Sequence, residues 1–297
     1  MSFEKWLKLN TEALNGKTVA VTGSTGGLGQ ELCKNLARLG ANLILIDRNF
    51  ARSEAFANVL RKAFGVSITL VTADLEDFSS VKAATEKLKN SPIDIFIHNA
   101  GAYSIPRKIC DTGYDNVFQI NFISPYYIIK SLLPNLREQK GKVMVVGSIA
   151  HNYNKLDQND IDFSTRKAAS SVYGNAKRFL MFSLFELFKN ETDVKLAVTH
   201  PGITFTNITA HYPKLIFAVI KHPMKVIFMK PEKAVLSLVD GCFEQTEYHT
   251  WIGPRFFNVW GYPKKQKLKT CTIDESRKIG ELAESLFNEL LINTDAI

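Results

Sequence analysis

Tyr173 and Lys177 stand four residues apart in the run Tyr173-Gly174-Asn175-Ala176-Lys177, and Ser148 closes an apolar run upstream of them. Side chains four apart share one face of a helix, so a phenol and an ammonium can point into the same cleft. A phenol ionises near pH ~10 and is a weak base at neutrality. A neighbouring ammonium favours the phenolate and draws that pKa toward the working range. With the Ser148 hydroxyl as helper, the set suits proton transfer between an alcohol and a carbonyl. Spacing alone does not single it out, because Tyr126 and Lys130 repeat it.

The surrounding pattern supplies the elements that must hold such a set. Apolar, β-branched runs at 18–22, 42–47, 67–73, 94–98, 142–147 and 195–199 read as strands. Leu28, Leu32, Leu36 and Leu39 recur at helical spacing, and 77–89, 113–138, 166–190 and 274–291 also read as helices. Strands that are apolar almost throughout and alternate with helices predict an α/β fold, a doubly wound parallel sheet covered by helices on both faces. No linker or repeat divides the chain, so one domain spans 1–297, with an irregular insertion near 203–230.

Composition narrows the class. The chain has 297 residues, 45% hydrophobic and 22% charged, as in an ordinary soluble domain. Its net charge of +8 is scattered apart from Lys264, Lys265, Lys267 and Lys269, which argues for a solvated basic face and against nucleic-acid binding. The four cysteines Cys33, Cys110, Cys242 and Cys271 are far apart and suggest neither zinc nor disulfides. A reducing, cytoplasmic setting is expected, and residues 1–17 lack the apolar core of a signal peptide.

After the first strand comes Thr22-Gly23-Ser24-Thr25-Gly26-Gly27-Leu28-Gly29. Glycines there permit a tight turn and close approach of backbone to a pyrophosphate, which a helix N-terminus attracts. From Lys17 to about Thr206 the chain resembles the short-chain dehydrogenase/reductase family. The glycine turn matches in order and spacing, followed by Asn99-Ala100-Gly101 after His98, Asn121, Ser148, Tyr173 with Lys177, and Pro201-Gly202. Two departures stand out. His98 replaces a second asparagine and is expected to be structural. The interval from Ser148 to Tyr173 is long, and its start Ser148-Ile149-Ala150-His151 and acidic stretch 157–162 are similar to the retinol-dehydrogenase-like branch.

The resemblance implies a Rossmann fold and an NAD(P)-dependent enzyme interconverting an alcohol and a carbonyl. Tyr173 would be the general acid or base, Ser148 would hold the substrate oxygen, and Lys177 would lower the tyrosine pKa and bind the nicotinamide ribose. Asn121 would position a water linking Lys177 to solvent. Cofactor contacts are expected from Gly23, Ser24, Thr25, Gly27, Leu28, Gly29, Asp47, Arg48, Asp74, Leu75, Asn99, Ala100, Gly101, Tyr173, Lys177, Pro201, Gly202 and Thr206. Asp74 could instead cap the next helix, and Thr206 could be a plain loop residue.

Asp47 ends the second strand, where a carboxylate accepts from ribose hydroxyls and repels a 2′-phosphate. Arg48 suits phosphate or stacks on adenine. Asp47 sets the expectation as NAD, with NADP as the alternative. An apolar segment from Phe205 to Met229 reads as a lid over a small lipophilic substrate, as helix core, or as a membrane-surface patch flanked by Lys214, Lys221, Lys225 and Lys230. Trp251 to Trp260 could line the pocket or an oligomer contact. A homodimer through the helices carrying Tyr126 and Tyr173 is the family's common assembly. A catalytically inactive NAD(P)-binding sensor is the alternative function, and an extended sugar-nucleotide epimerase a more distant one.

Overall fold

Strands whose side chains are apolar on both faces can only be buried between two layers, and the computed structural model, which describes residues 3–202 and 229–292, has that form. β1 (Thr18–Thr22), β2 (Asn42–Asp47), β3 (Ile68–Thr72), β4 (Ile95–His98), β5 (Lys142–Val146), β6 (Lys195–Thr199), β7 (Thr250–Phe256) and β8 (Trp260–Lys267) form one sheet in the order β3-β2-β1-β4-β5-β6-β7-β8. All neighbours pair in parallel except β7 and β8, which form an antiparallel hairpin at the edge. The six parallel strands expected from sequence are present within a residue or two at each end.

Alternation along each strand divides the core. Ala20, Ile44, Phe96, Val143 and Val198 face one layer, which contains α4 (Phe78–Lys89), α6 (Ser124–Glu138), α7 (Ala169–Leu187) and α10 (Ile273–Ile292). Val19, Leu43, Ile97, Met144 and Ala197 face the other, with α1 (Phe3–Asn10), α2 (Gly27–Arg38), α3 (Phe50–Phe64) and α9 (Leu236–Phe243). The short α8 (Pro231–Ala234) precedes α9. Because β1 lies between β2 and β4, the strand order reverses there, and the crevice at the carboxyl ends of β1 and β4 is where such sheets bind ligands.

The helix expected over 113–138 begins as α5 (Asn116–Phe118), capped by Asp115, widens into a π turn at Gln119–Ile123 and continues as α6. α7 is shorter than the 166–190 expected. The apolar face of α6 and α7 is covered by α10 of the same chain: Tyr126 Oη donates to Glu284 Oε1 at 2.6 Å, Lys130 pairs with Glu284, and the Tyr127 and Phe287 rings lie 5.6 Å apart. The second Tyr/Lys pair is therefore spent on packing the C-terminal helix. A dimer through this face, as expected from sequence, would have to displace α10. Of the insertion expected near 203–230, only Met229, which is buried, and Lys230, which is exposed, belong to the described residues; the rest, with Thr206, lies outside them.

Candidate active site

The phosphate turn owes its shape to contacts that leave no room for side chains. Gly23 has φ +67°, and a Cβ there would lie 2.8 Å from Ala100 Cα; one on Gly29 would lie 2.1 Å from the Gly23 carbonyl oxygen. Asn99 Nδ2 donates to the Thr22 and Gly23 carbonyls at 3.1 and 3.0 Å, tying β4 to the turn. Thr22 Oγ1 accepts from the Asn99 and Ala100 amides and meets His98 Nδ1 at 3.0 Å, so His98 is structural, as expected. Gly26 precedes α2 with no side-chain cap, and the first amides of that helix are left for an anion. Gly29→Ala is expected to force the turn open and weaken dinucleotide binding by more than about tenfold. Calorimetric titration checks this, and near wild-type affinity would contradict it.

The turn forms one end of a cavity of about 920 Å³ whose other end is lined by Ser148, Tyr173, Lys177, Pro201 and Gly202. Ser148 caps the 3-10 turn Ile149–Tyr153, with its Oγ accepting from Ala150 N at 3.2 Å. Burial pushes the Tyr173 phenol up to about 12, against the opposing hydrogen bond with Ser148. Lys177 Nζ donates to the Val146 carbonyl at 3.0 Å and lies 5.8 Å from the Tyr173 ring centroid. Burial pulls the lysine down to about 7. Lys177 is not among the causes that shift the phenol. Desolvation dominates both groups.

Asn121 and Ser24 differ from expectation. Neither lines the cavity. Asn121 sits in the π turn behind Gly101, donating through Nδ2 to the Ala102 and Val117 carbonyls at 2.8 Å each and accepting from Ala102 N at 3.3 Å. It braces the wall segment, and its distance from solvent follows from those bonds. Ser24 is buried, with its hydroxyl on Asp47. Asp74 does line the cavity and accepts from Glu76 N at 3.0 Å, whereas the cap of α4 is Asp77. Thr25, Gly27, Leu28, Arg48, Leu75, Asn99, Ala100 and Gly101 all line the cavity.

Several wall residues escaped the sequence reading. Tyr103 packs edge-on against Tyr173 at 5.3 Å, and Ile149, Ala150 and Tyr153 extend the wall beyond Ser148. His200, beside Pro201, lines the cavity stacked 4.7 Å from Trp251 and is held neutral by burial, its pKa near about 4. Its place directly before Pro201-Gly202 was the available signal.

At the far rim Asp47 is fully engaged within the protein. Its Oδ2 accepts from the Ser24 and Ser53 hydroxyls, the latter at 2.8 Å, and its Oδ1 from Thr25 N at 3.1 Å and Thr25 Oγ1 at 2.9 Å. A carboxylate has about four acceptor sites, so none remains for a ribose hydroxyl. Arg48 and Arg52, both exposed, also line the cavity, Arg52 Nη2 donating to the Thr25 carbonyl at 3.3 Å.

With this geometry in hand, the sequence matches the short chain dehydrogenase family over residues 17–214. The chain belongs to that family. It is 29% identical over 292 residues to mouse retinol dehydrogenase 14, covering 91% of this chain and 86% of that one. An uncharacterised protein of Mycobacterium paratuberculosis superposes with a TM-score of 0.74 at 20% identity, covering 94% and 96% of the two chains. A short-chain dehydrogenase of Sphingobium yanoikuyae, solved with NADPH, gives a TM-score of 0.59 at 22% identity over 76% and 83%. As a short-chain dehydrogenase the protein is an NAD(P)-dependent oxidoreductase acting between alcohols and carbonyls.

Proposed function

We propose that the protein reduces, or in reverse forms, a carbonyl on a small lipophilic molecule, with Tyr173 as the general acid or base. The observation that carries this reading is the meeting of Tyr173, Ser148 and Lys177 at one end of a cavity whose other end is the glycine turn. The cradle fits a dinucleotide, because Gly23 and Gly29 let the turn close tightly on β4 and Gly26 leaves the start of α2 without a side-chain cap. NAD(P)(H) supplies the hydride chemistry when bound. Tyr173 Oη gives its proton to the substrate oxygen in reduction and removes it in oxidation. The Ser148 hydroxyl donates to that oxygen and stabilises its developing charge. Lys177, anchored on Val146, faces the same space and supplies a proton-bearing group behind the phenol.

The high phenol pKa gives the pH dependence its sign. Oxidation needs the phenolate, whose fraction below a pKa of about 12 grows tenfold per pH unit. Oxidative kcat/KM is therefore expected to rise with pH above neutrality, while reductive kcat/KM, which needs the phenol, stays level. Initial rates in both directions across a pH series test this, and a level oxidative profile would count against Tyr173.

The saturated Asp47 carboxylate and the two guanidinium groups beside it favour NADP(H) over NAD(H), the reverse of the preference expected from Asp47 alone. Arg48→Ala with Arg52→Ala is expected to weaken NADPH binding about tenfold or more and NADH binding little. Equal losses for both would remove the assignment. Mouse retinol dehydrogenase 14, by its name, acts on retinol, and a lipophilic alcohol suits the wall formed by Tyr103, Ile105, Ile149 and Ala150. The four thiols are free and buried, which supports a reducing, cytoplasmic location.

A further inference from the structure

The β7–β8 hairpin ends in a turn that sequence rules would not choose. Phe256 to Val259 closes through Val259 N to the Phe256 carbonyl at 2.9 Å, with φ +53° at Phe257 and +57° at Asn258. Positive φ at both central positions suits Asn or Gly. For a bulky aromatic it is strained, and strain of that kind points to a use for the side chain. Yet Phe257 stands 85% exposed, beside Phe256 at 57% and Trp260 at 41%. The strained position thus carries an aromatic ring that stands in water.

The charges around this tip have one sign. From His249 to Thr272 there is no Asp or Glu, while Arg255, Lys264, Lys265, Lys267 and Lys269 are all exposed. Lys265 pairs with Glu244 at 2.6 Å; no ion pair to Lys264, Lys267 or Lys269 is found among the described residues. At about 3.3 Å per residue, Lys264 lies roughly 13 Å along the strand from Trp260. An interfacial element buries its apolar part about 5–10 Å deep, so Arg255 and Lys264 would stand at headgroup level. The tip also adjoins the cavity mouth: Asn258 O meets His200 Nε2 at 3.1 Å, and Val259 O lies 2.7 Å from where a Gly202 Cβ would be.

We propose that the hairpin tip Phe256–Trp260 docks on an anionic lipid surface, the rings entering the interface and the lysines of β8 meeting acidic headgroups. No helix among the described residues is long and apolar enough to cross a membrane, and the contact proposed is a peripheral one. The lysines also guard the sheet edge against pairing with a second copy, which turns this surface away from self-association. Delivery of a lipophilic substrate from the bilayer to the adjoining mouth rests on the function proposed above; the docking itself does not.

The test uses the intact protein with phosphatidylcholine vesicles, with or without phosphatidylserine. Trp6 and Trp251 are 3% and 2% exposed, so a blue shift of tryptophan emission on adding vesicles reports Trp260. Wild type is expected to co-sediment with the anionic vesicles, less so at high salt, with that shift. Phe257→Ser is expected to weaken partition about tenfold, and Lys264→Glu with Lys267→Glu by more than about tenfold. Both variants should turn over a water-soluble carbonyl as wild type does, so a failure of docking is distinguishable from a failure of the redox assignment. Absence of vesicle binding, binding unchanged in both variants, or a change of oligomeric state in Phe257→Ser would each overturn the proposal.

Discussion

Replacing Tyr173 with phenylalanine is expected to lower kcat by about 10²–10⁴-fold while leaving dinucleotide affinity close to that of wild type. The substitution removes one oxygen and keeps the ring. That ring packs against Tyr103 and against the small cluster of Val117, Phe163 and Val172, so the local structure has no reason to rearrange. What is lost is the phenol that shares a hydrogen bond with Ser148. Lys177 is a poor substitute, since its Nζ is committed to the Val146 carbonyl. Steady-state rates with calorimetric cofactor titration separate the two effects. A variant that loses cofactor affinity and turnover together would indicate a structural role instead.

The second large effect is expected at Arg178, one residue beyond Lys177 and fully buried. Its Nε and Nη2 donate to Glu275 Oε1 and Oε2 at 2.9 and 2.6 Å, its Nη1 to the His151 carbonyl at 3.1 Å, and its Nη2 also to the Thr270 carbonyl at 2.7 Å. Glu275 accepts in turn from Leu156 N at 2.8 Å. Burial raises the Glu275 carboxyl, yet the hydrogen bond from Arg178 and those that accompany it leave it below its ordinary value. One guanidinium thus joins the helix that carries Tyr173 and Lys177, the turn that Ser148 caps and the start of α10. Arg178→Met leaves a partly buried carboxylate and two carbonyls without their donor, which costs roughly 3 kcal/mol. Thermal unfolding should show a fall in Tm on the order of 10 °C. Because both partners of a buried pair can be replaced at lower cost than one, Arg178→Met with Glu275→Leu is expected to recover much of the loss. A single variant within about 1 kcal/mol of wild type would contradict this reading.

How much of this was legible in the sequence depended on whether a local rule and the tertiary environment agreed. β1 to β6 were legible because burial on both faces demands the continuous apolar runs that 18–22 and 42–47 display. β7 and β8 were not, since Gly253, Pro254 and Pro263 interrupt the pattern; Pro263 sits on the edge strand and Pro254 beside a bulge, places where a sheet tolerates proline. α3 was missed although Asn49 caps its start and Gly65 ends it with a left-handed residue; its apolar spacing is less regular than that of α2.

At the site, motif order located Ser148, Tyr173 and Lys177, and the cavity gathers them. Asn121, Ser24 and Asp47 show the limit of that reading. A motif gives a residue's place along the chain, whereas its partners decide whether it faces outward or inward. The hydroxyl of Ser53, six residues beyond Asp47, is invisible in any strand-end rule, yet it completes the set of donors that occupies the carboxylate. Burial likewise sets the phenol pKa, and four-residue spacing carries no information about desolvation.

The most direct test is transfer of label. Wild type would be incubated with NADPH deuterated at the transferable position and a panel of lipophilic ketones and aldehydes, and the alcohols examined by mass spectrometry. Deuterium on the carbinol carbon of at least one product with wild type, and none above background with Tyr173→Phe, is the result predicted. Tight binding of NADPH with no label reaching any carbonyl would contradict it and favour a dinucleotide-binding protein without turnover.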